Sequence, residues 1–343
     1  MKKVGLLGGS FDPIHLGHIA IAQLAIEKLE LDEVWYIVSF QTNLKDDLVA
    51  DISSRLDMAN IAIRNDKRLK ICDIERDLPT PSYTINTIVA LKEKYEDCDF
   101  TFLIGSDQAD QLDKWHRIDE LKEMVEFKVI SRDGKQGDIY VPEGTYPQSS
   151  TAIRAGVIEY LDDEVWKYIV NHEIYLETIV ASKLTEKRFA HTLNTVEVAL
   201  SLSLVHKYDR HLTYLAALFH DIAKQESEEF LLSYLDQKEK TQPQGIWHQY
   251  VGAKLVKDYY KISNQDVFDA IYNHTTGDCD SILAMIIFCA DKIEPSRQYD
   301  SNEVFMLCVN DIKQGFQIIK SNHKEYTISR LADCLGVDGD DLP

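Results

Sequence analysis

The stretch Gly8-Gly9-Ser10-Phe11-Asp12-Pro13-Ile14-His15-Leu16-Gly17-His18 decides how the first half of this chain folds. Apolar residues 4–7 before it predict a short strand, and the run 19–27 after it, free of Gly and Pro, predicts a buried helix. A strand, a glycine-bearing turn and a helix start together form a phosphate site. Glycines let backbone N–H groups approach the oxygens, and the positive end of the helix dipole faces the anion. His15 and His18 stand where they would point at that anion.

Strands and helices alternate along the rest of the first half. This alternation predicts an α/β fold with a doubly wound parallel sheet, Rossmann-like, whose ligands bind at the carboxyl ends of the strands. Gly8-Gly9, Gly105-Ser106-Asp107 and the turn after Ile130 fall on that edge. The predicted strands after the first are 34–38, 69–73, 100–104 and 127–130, and the predicted helices between them include 55–63 and 85–94, the latter with a hydroxyl at 82–84 available as its cap.

Length and composition describe an ordinary globular chain with room for two cores. It has 343 residues, 45% of them hydrophobic and 27% charged. The net charge of −20 argues against a nucleic-acid partner, since such binding depends on cations that meet phosphates. Six scattered cysteines without a CxxC pair predict reduced thiols. With no leader and no apolar run long enough to span a bilayer, we expect a cytoplasmic protein without a membrane partner.

Four ordered motifs in residues 1–178 resemble one enzyme family. The opening stretch is similar to the GGxFDPxHxGH start of bacterial nicotinate-nucleotide adenylyltransferases, and its last four residues fit the HxGH pattern of nucleotidyltransferases. Residues 81–85 resemble the PSYT segment of that family, and residues 103–107 with Trp115 resemble its GxD…W segment. Residues 149–154 resemble its SSTxIR signature.

The resemblance implies adenylyl transfer from ATP, with Mg²⁺, to nicotinate mononucleotide, by positioning and charge stabilisation. His15 and His18 would neutralise charge on the phosphoryl oxygens, Lys45 and Arg154 would hold the polyphosphate, and Asp107 would orient a ribose hydroxyl or a water of the metal. Substrate contacts are implied for residues of the same motifs: Gly8, Gly9, Ser10, Phe11, Tyr83, Thr84, Gly105, Trp115, Ser150 and Thr151.

One segment departs from the family pattern. Where members carry a PPHK loop, this chain reads Thr42-Asn43-Leu44-Lys45, which keeps the lysine and replaces the histidine by Leu44. Two alternatives therefore stay open. The acceptor is another phosphate ester, such as nicotinamide mononucleotide or phosphopantetheine, or the first domain senses nucleotides without catalysis.

The second half predicts helices only. Its apolar residues follow helical spacing, without a strand pattern of comparable quality. A helix over 162–178 closes the first domain, and a short helical connection at 179–183 separates domains 1–180 and 184–343. The predicted helices of the second domain are 192–205, 212–219, 228–235, 250–259, 266–272 and 281–290.

A set of metal-type ligands lies within these predicted helices. Mixed imidazoles and carboxylates without thiolates suit iron first, with manganese, magnesium or zinc as alternatives. The adjacent His220-Asp221 pair offers two ligands from one helix end, and two metals sharing a water would activate it at neutral pH. The candidate ligands are His191, His220, Asp221 and Asp291 for a first metal, and His248 and His274 for a second.

This H…HD…D pattern resembles the HD phosphohydrolase superfamily, so the predicted second fold is an all-α HD domain. The segments 220–224, 274–277 and 290–297 narrow the resemblance to the YqeK-like group, which splits diadenosine tetraphosphate symmetrically into two ADP. The resemblance implies that Lys224 and Arg297 hold the polyphosphate. It also implies a pocket lined by Thr275, Thr276 and Gly277. A mononucleotide or cyclic-nucleotide substrate is the alternative.

Overall fold

The computed structural model describes residues 1–40, 49–79, 83–131, 137–141, 149–297 and 302–322. The chain divides into two compact units, Met1–Leu176 and Glu177–Pro343. In the described part of the chain, no helix is both long enough and apolar enough to cross a membrane. The five cysteines in that part are free thiols.

The first unit is built on a parallel sheet with the strand order β3-β2-β1-β4-β5-β6. β1 lies at its centre and pairs with β2 on one side and β4 on the other, so the glycines that end β1 lie between two neighbouring strands. The predicted doubly wound sheet is confirmed. The strands are β1 (Lys2–Gly9), β2 (Glu33–Val38), β3 (Leu69–Cys72), β4 (Cys98–Gly105), β5 (Glu126–Ser131) and β6 (Ile139–Tyr140).

Helices connect these strands and cover both faces of the sheet. One face packs Leu6, Phe102 and Ile104 of the central strands against Ile88 and Leu91, all of them buried. The helices of this unit are α1 (Leu16–Leu29), α2 (Ile52–Ile63), α3 (Thr84–Lys94), α4 (Ser106–Ala109), α5 (Ile118–Met124), α6 (Ser150–Arg154) and α7 (Asp163–Asn171). The expected hydroxyl cap of α3 is not formed by its N-cap residue Tyr83, and Ser82 lies outside the described residues.

The prediction of one continuous helix over 162–178 is wrong. α7 ends at Asn171, and α8 (Leu176–Lys183) begins after a turn in which Glu173 and Tyr175 adopt left-handed backbone angles, with φ of 57° and 62°. Apolar spacing continues through this turn, so the sequence pattern alone does not reveal it. The Tyr175 hydroxyl donates a hydrogen bond to the Asp12 carboxylate at 2.6 Å, a tertiary contact that fixes the turn.

In its described residues the second unit consists of helices and connecting turns without a strand, as predicted. α15 is buried over most of its length and lies against α9 and α14, which places the ligand-bearing helices around one core. The helices after α8 are α9 (Glu186–Val205), α10 (Arg210–Phe219), α11 (Glu228–Tyr234), α12 (Gln237–Lys240), α13 (Trp247–Lys254), α14 (Gln265–Tyr272), α15 (Ile282–Ile293) and α16 (Asn302–Asn310), followed by a helical segment over 312–322.

His206, which belongs to none of the predicted motifs, does not face solvent fully. It caps the end of α9 in a half-buried position, and its Nε2 lies 2.7 Å from the carbonyl oxygen of Cys308 on α16. α16 was not among the predicted helices, so the sequence pattern did not reveal the partner of His206.

Candidate active sites

The loop after β1 is shaped by a close contact between Gly9 and Phe11. A Cβ atom on Gly9 would lie 3.0 Å from the Phe11 ring, so a larger residue would push that ring away. Phe11 itself has a φ of 48° and packs edge-to-face against His18 and Tyr36. The ring therefore holds the glycine turn against the start of α1.

His15 and His18 form a pair at the start of α1. His15 is buried and is the residue that precedes the helix, and the ring centroids of the two histidines are 3.7 Å apart. The backbone N–H of His15 donates to Nδ1 of His18 at 3.2 Å, which leaves Nε2 of His18 as its protonated nitrogen. The Tyr36 hydroxyl donates to the backbone oxygen of His18 at 3.1 Å. This arrangement places a fixed imidazole where the helix dipole favours an anion.

The segment that carries Arg154 packs against the same loop. Ser149 caps α6 by accepting from the Ala152 N–H, and Ser150 donates to the Pro13 carbonyl oxygen at 2.9 Å. Arg154 Nη1 donates to the backbone oxygen of Asp12. The structure thus brings two motifs together that lie more than 130 residues apart in sequence.

Two buried charged residues of this site were not singled out from the sequence. Asp12 and Arg55 are each 1% exposed. Arg55 donates to the carbonyl oxygens of Ser10, Ser39 and Ala50, so it holds the ends of β1 and β2 together. Asp12 lies inside the recognised motif, so the sequence could have identified it. Arg55 occupies an ordinary helical position, and no sequence pattern pointed to it.

The residues at the end of β4 and the start of α3 form a separate cluster. Trp115 is half-buried and lies edge-to-face with Phe102 and Phe127, at centroid distances of 6.0 and 6.2 Å. Tyr83 is 37% exposed and stacks on His116, with 4.4 Å between the ring centroids. His116 was not predicted as a site residue.

Asp107, Thr84 and Thr151 are further predicted residues of the first unit that the structure describes. The exposed carboxylate of Asp107 folds back over Gly105, since a Cβ there would lie 2.5 Å from its Oδ1. Thr84 is half-buried at the first position of α3, and Thr151 Oγ1 lies 3.5 Å from Arg154 Nη2. Lys45, with the whole 42–45 segment, lies outside the described residues.

In the second unit the structure gathers all six predicted metal ligands into one buried cluster. They come from α9, the end of α10, α13, the end of α14 and α15. The cluster consists of His191, His220, Asp221, His248, His274 and Asp291.

The cluster has two halves that share Asp221. On one side, Nε2 of His220 lies 3.4 Å from Asp221 Oδ2, and Nε2 of His191 lies 3.0 Å from Asp291 Oδ1. On the other side, Nε2 of His248 and His274 lie 3.3 and 3.5 Å from Asp221 Oδ1. Each oxygen of one carboxylate thus faces a different group of donors, as in a site that holds two ions.

Outer contacts orient the imidazoles of the cluster. Nδ1 of His220 and of His274 each lie 2.7 Å from a backbone carbonyl oxygen, those of Ala217 and Ile271. Nδ1 of His191 lies 3.0 Å from Oε1 of Glu294, a fully buried carboxylate. Each ring is therefore protonated at Nδ1 and directs Nε2 to the centre of the cluster, the second-shell pattern of metal-bound histidine.

The donor set fits divalent metal ions. Nε2 of His191 and of His220 are buried beside the carboxylates of Asp291 and Asp221 but make no hydrogen bond within the described residues, which is costly for a polar atom unless an ion satisfies it. Burial lowers the pKa of His248 and of His274, which favours the neutral imidazole that binds metals. Burial opposes charge on Asp221, but His220 outweighs it and holds the pKa of that carboxyl well below its usual range.

A cavity of about 1110 Å³ opens beside the His191 side of the cluster. Four cations line it: Lys187, Arg188, Lys292 and Arg297. Arg188 and Arg297 reach the ligand carboxylates, at 2.9 Å from Asp221 Oδ2 and 2.8 Å from Asp291 Oδ1. Only Arg297 was predicted. Lys187 and Arg188 lie one helical turn before His191 and therefore share a helix face with it. This spacing could have identified them from the sequence.

The other predicted residues of the second unit lie near His248 or farther from the ligand cluster. Lys224 Nζ and Thr275 Oγ1 lie 3.1 and 3.3 Å from Nε2 of His248, and burial lowers the pKa of Lys224. Thr276 is half-buried. Gly277 has a φ of 66° and packs beneath the rings of Phe288 and Phe316, which leaves no space for a side chain.

The two units define two classes of enzyme. A parallel sheet with a glycine turn and a histidine pair at its central strand defines a nucleotidyltransferase, and a helical unit around a buried H…HD…D cluster defines an HD hydrolase. Family models agree: the cytidylyltransferase-like model matches residues 6–156, and the HD domain model matches residues 188–296.

Whole-chain relatives combine the same two parts. The chain is 30% identical over 334 residues to the "Probable nicotinate-nucleotide adenylyltransferase/Ap4A hydrolase" of Mycoplasma pneumoniae, which covers 91% of this chain and 96% of that protein. The chain belongs to this family of two-domain enzymes, and both resemblances predicted from the sequence are confirmed.

Each half also has relatives of its own. A "Probable nicotinate-nucleotide adenylyltransferase" of Shouchella clausii is 42% identical over 160 residues, 45% of this chain and 83% of that protein. A solved structure of an HD superfamily hydrolase described as involved in NAD metabolism, from Clostridium acetobutylicum, is 27% identical and covers 49% of this chain and 87% of that chain, with a TM-score of 0.41.

Proposed function

We propose that the chain is a bifunctional enzyme that transfers an adenylyl group from ATP to nicotinate mononucleotide and hydrolyses diadenosine tetraphosphate to two ADP. The observation that carries the proposal is the presence of two self-contained sites, a histidine pair with Arg154 in one unit and a buried ligand cluster in the other. The names of the relatives supply the substrates. We assign transfer to residues 1–180 and hydrolysis to residues 184–343.

In the first unit the protein positions reactants and stabilises charge. The mononucleotide phosphate attacks the α-phosphorus of ATP, the bond to the β-phosphate oxygen breaks, and pyrophosphate leaves. Protonated Nε2 of His18 donates to a phosphoryl oxygen as charge develops on it, and Arg154 holds the polyphosphate. Mg²⁺ enters bound to ATP, coordinated mainly by phosphate and water.

In the second unit His191, His220, Asp221 and Asp291 would hold one divalent metal, and Asp221, His248 and His274 a second. Bound metals supply Lewis acidity and a reactive water at neutral pH. The lining cations Lys187 and Arg188 and the predicted Arg297 bind the polyphosphate chain in the cavity. We propose iron as the native metal, with manganese, magnesium and zinc as the alternatives to test.

The first experiment supplies the whole protein with ATP, Mg²⁺ and nicotinate mononucleotide and follows pyrophosphate and dinucleotide release. Parallel reactions with nicotinamide mononucleotide and with phosphopantetheine identify the acceptor. If turnover is fastest with nicotinate mononucleotide, the proposal is supported, even though Leu44 replaces the histidine of the family pattern. ATP binding without turnover on any acceptor contradicts it and supports a nucleotide sensor.

A second assay tests the hydrolase. Metal-free protein is reconstituted with each of the four metals and given diadenosine tetraphosphate, ATP, AMP and a cyclic nucleotide. ADP as the sole product from the tetraphosphate supports symmetrical cleavage. Equal amounts of ATP and AMP, or preference for another substrate, would refute it.

A further inference from the structure

Asp12 is an unusually well-satisfied buried carboxylate beside the histidine pair. Its side chain accepts hydrogen bonds from the backbone N–H of Val49 at 3.0 Å, from that of Ala50 at 3.1 Å, and from the Tyr175 hydroxyl at 2.6 Å. It is 1% exposed, so water does not replace a donor that is lost. Asp12 therefore joins three segments that are distant in sequence.

Arg154 takes its position from the same residue. Its Nη1 lies 3.5 Å from Asp12 Oδ2 and donates to the backbone oxygen of Asp12. α6, which carries Arg154, is only five residues long. A short helix end leaves a long side chain free to take several rotamers, so the contact with Asp12 selects one of them.

Tyr175 supplies the donor that completes the set. It is 4% exposed and lies in the turn between α7 and α8, in the left-handed backbone region that a tyrosine disfavours. Burial raises the pKa of its hydroxyl, which stays protonated and can donate at any ordinary pH. The hydrogen bond to Asp12 stabilises a turn that the local sequence does not favour.

We propose that Tyr175 and Asp12 are positioning residues that orient Arg154 toward the polyphosphate of a nucleoside triphosphate. Neither touches the substrate; both act through the guanidinium group of Arg154. The inference rests on the proposed function of the first unit in one respect, the assignment of Arg154 to the phosphates of ATP. It adds a requirement that the motifs do not contain, because Tyr175 lies some twenty residues beyond the last of them.

The test measures ATP binding by the full-length protein, by calorimetry, in the Tyr175→Phe variant. Losing the hydroxyl loosens Asp12 and with it Arg154, so we expect the Kd and the KM for ATP to rise about tenfold, the size of one charge-assisted hydrogen bond. The KM for the mononucleotide stays unchanged. Tyr168→Phe is the matched control, since it removes a similar tyrosine–aspartate hydrogen bond, to Asp57 at 2.9 Å, from helix α7 nearby.

A double-mutant cycle with Arg154→Met separates positioning from general loosening. If Tyr175 acts through Arg154, adding Tyr175→Phe to Arg154→Met weakens ATP binding no further. Additive effects, or ATP binding by Tyr175→Phe equal to that of Tyr168→Phe, overturn the inference.

If Tyr175→Phe melts at a much lower temperature, the cycle is repeated with Asp12→Asn, which keeps the shape of the side chain and removes its charge. If the wild-type protein binds ATP but shows no turnover, the proposed function is wrong, and this inference is unaffected.

Discussion

At the scale of single residues, buried carboxylates with several hydrogen-bond partners organise the two sites. Glu294 is fully buried; it accepts from the backbone and the hydroxyl of Ser296 at 2.7 and 2.6 Å and from Asn194 at 3.2 Å. It also contacts Nδ1 of His191 at 3.0 Å and lies 3.5 Å from Arg297 Nε. A carboxylate held in this way fixes the ring and tautomer of a metal ligand.

Replacing Glu294 by Gln should weaken metal binding in the second unit. The amide keeps the size of the side chain, but it lacks the charge that raises the basicity of His191. We expect the affinity of metal-free protein for Mn²⁺ to fall about 10- to 100-fold, measured by calorimetric titration.

Glu239→Gln is the matched control for that measurement. Glu239 is also a buried glutamate of the same unit, 4% exposed, but it is paired with Lys254 and Tyr272 rather than with a metal ligand. We expect this variant to lower stability and keep the Mn²⁺ affinity. An equal loss of affinity in both variants would show that the effect comes from stability alone.

At the scale of elements, helix ends are where the sequence patterns were least informative. α1 ends at Leu29, and its cap residue Glu30 is exposed, has φ of 54° and ψ of 44°, and donates its backbone N–H to the Ile26 carbonyl oxygen. This left-handed cap position favours glycine, because a side chain there crowds the backbone. The break between α7 and α8 has the same character, with Glu173 and Tyr175 in left-handed conformations.

Glu30→Gly should therefore stabilise the first unit by about 1 kcal/mol, since it removes the cost of the left-handed conformation. Urea unfolding, followed by circular dichroism, measures the change. Glu27→Gly, at an exposed position inside the same helix, should destabilise the unit by about 1 kcal/mol. A loss of stability in both variants would mean that the cap geometry at Glu30 costs nothing.

At the scale of the whole molecule, the chain contains two compact units, and each holds a candidate site of its own. In the described structure, the ligands of the metal cluster all come from the second unit, and the histidine pair with Arg154 comes from the first. The two activities should therefore be separable by single substitutions.

His18→Ala should abolish adenylyl transfer and leave hydrolysis unchanged, since it removes the imidazole at the start of α1. Asp221→Ala should do the reverse, because both halves of the cluster share that carboxylate. Both activities are measured on each purified full-length variant. Loss of both from either substitution would show that the sites are coupled or wrongly assigned.

The sequence by itself determined the parallel α/β fold of the first unit, the helical second unit and the six candidate metal ligands. It did so because hydrophobic periodicity and short motifs are local properties that each segment carries independently. Only the tertiary structure decided the roles suggested for Asp12, Arg55, Glu294 and Arg188. Their partners are remote in sequence and meet only when each unit folds. The same reason explains the turn at Tyr175, whose hydroxyl donates to a carboxylate 163 residues away.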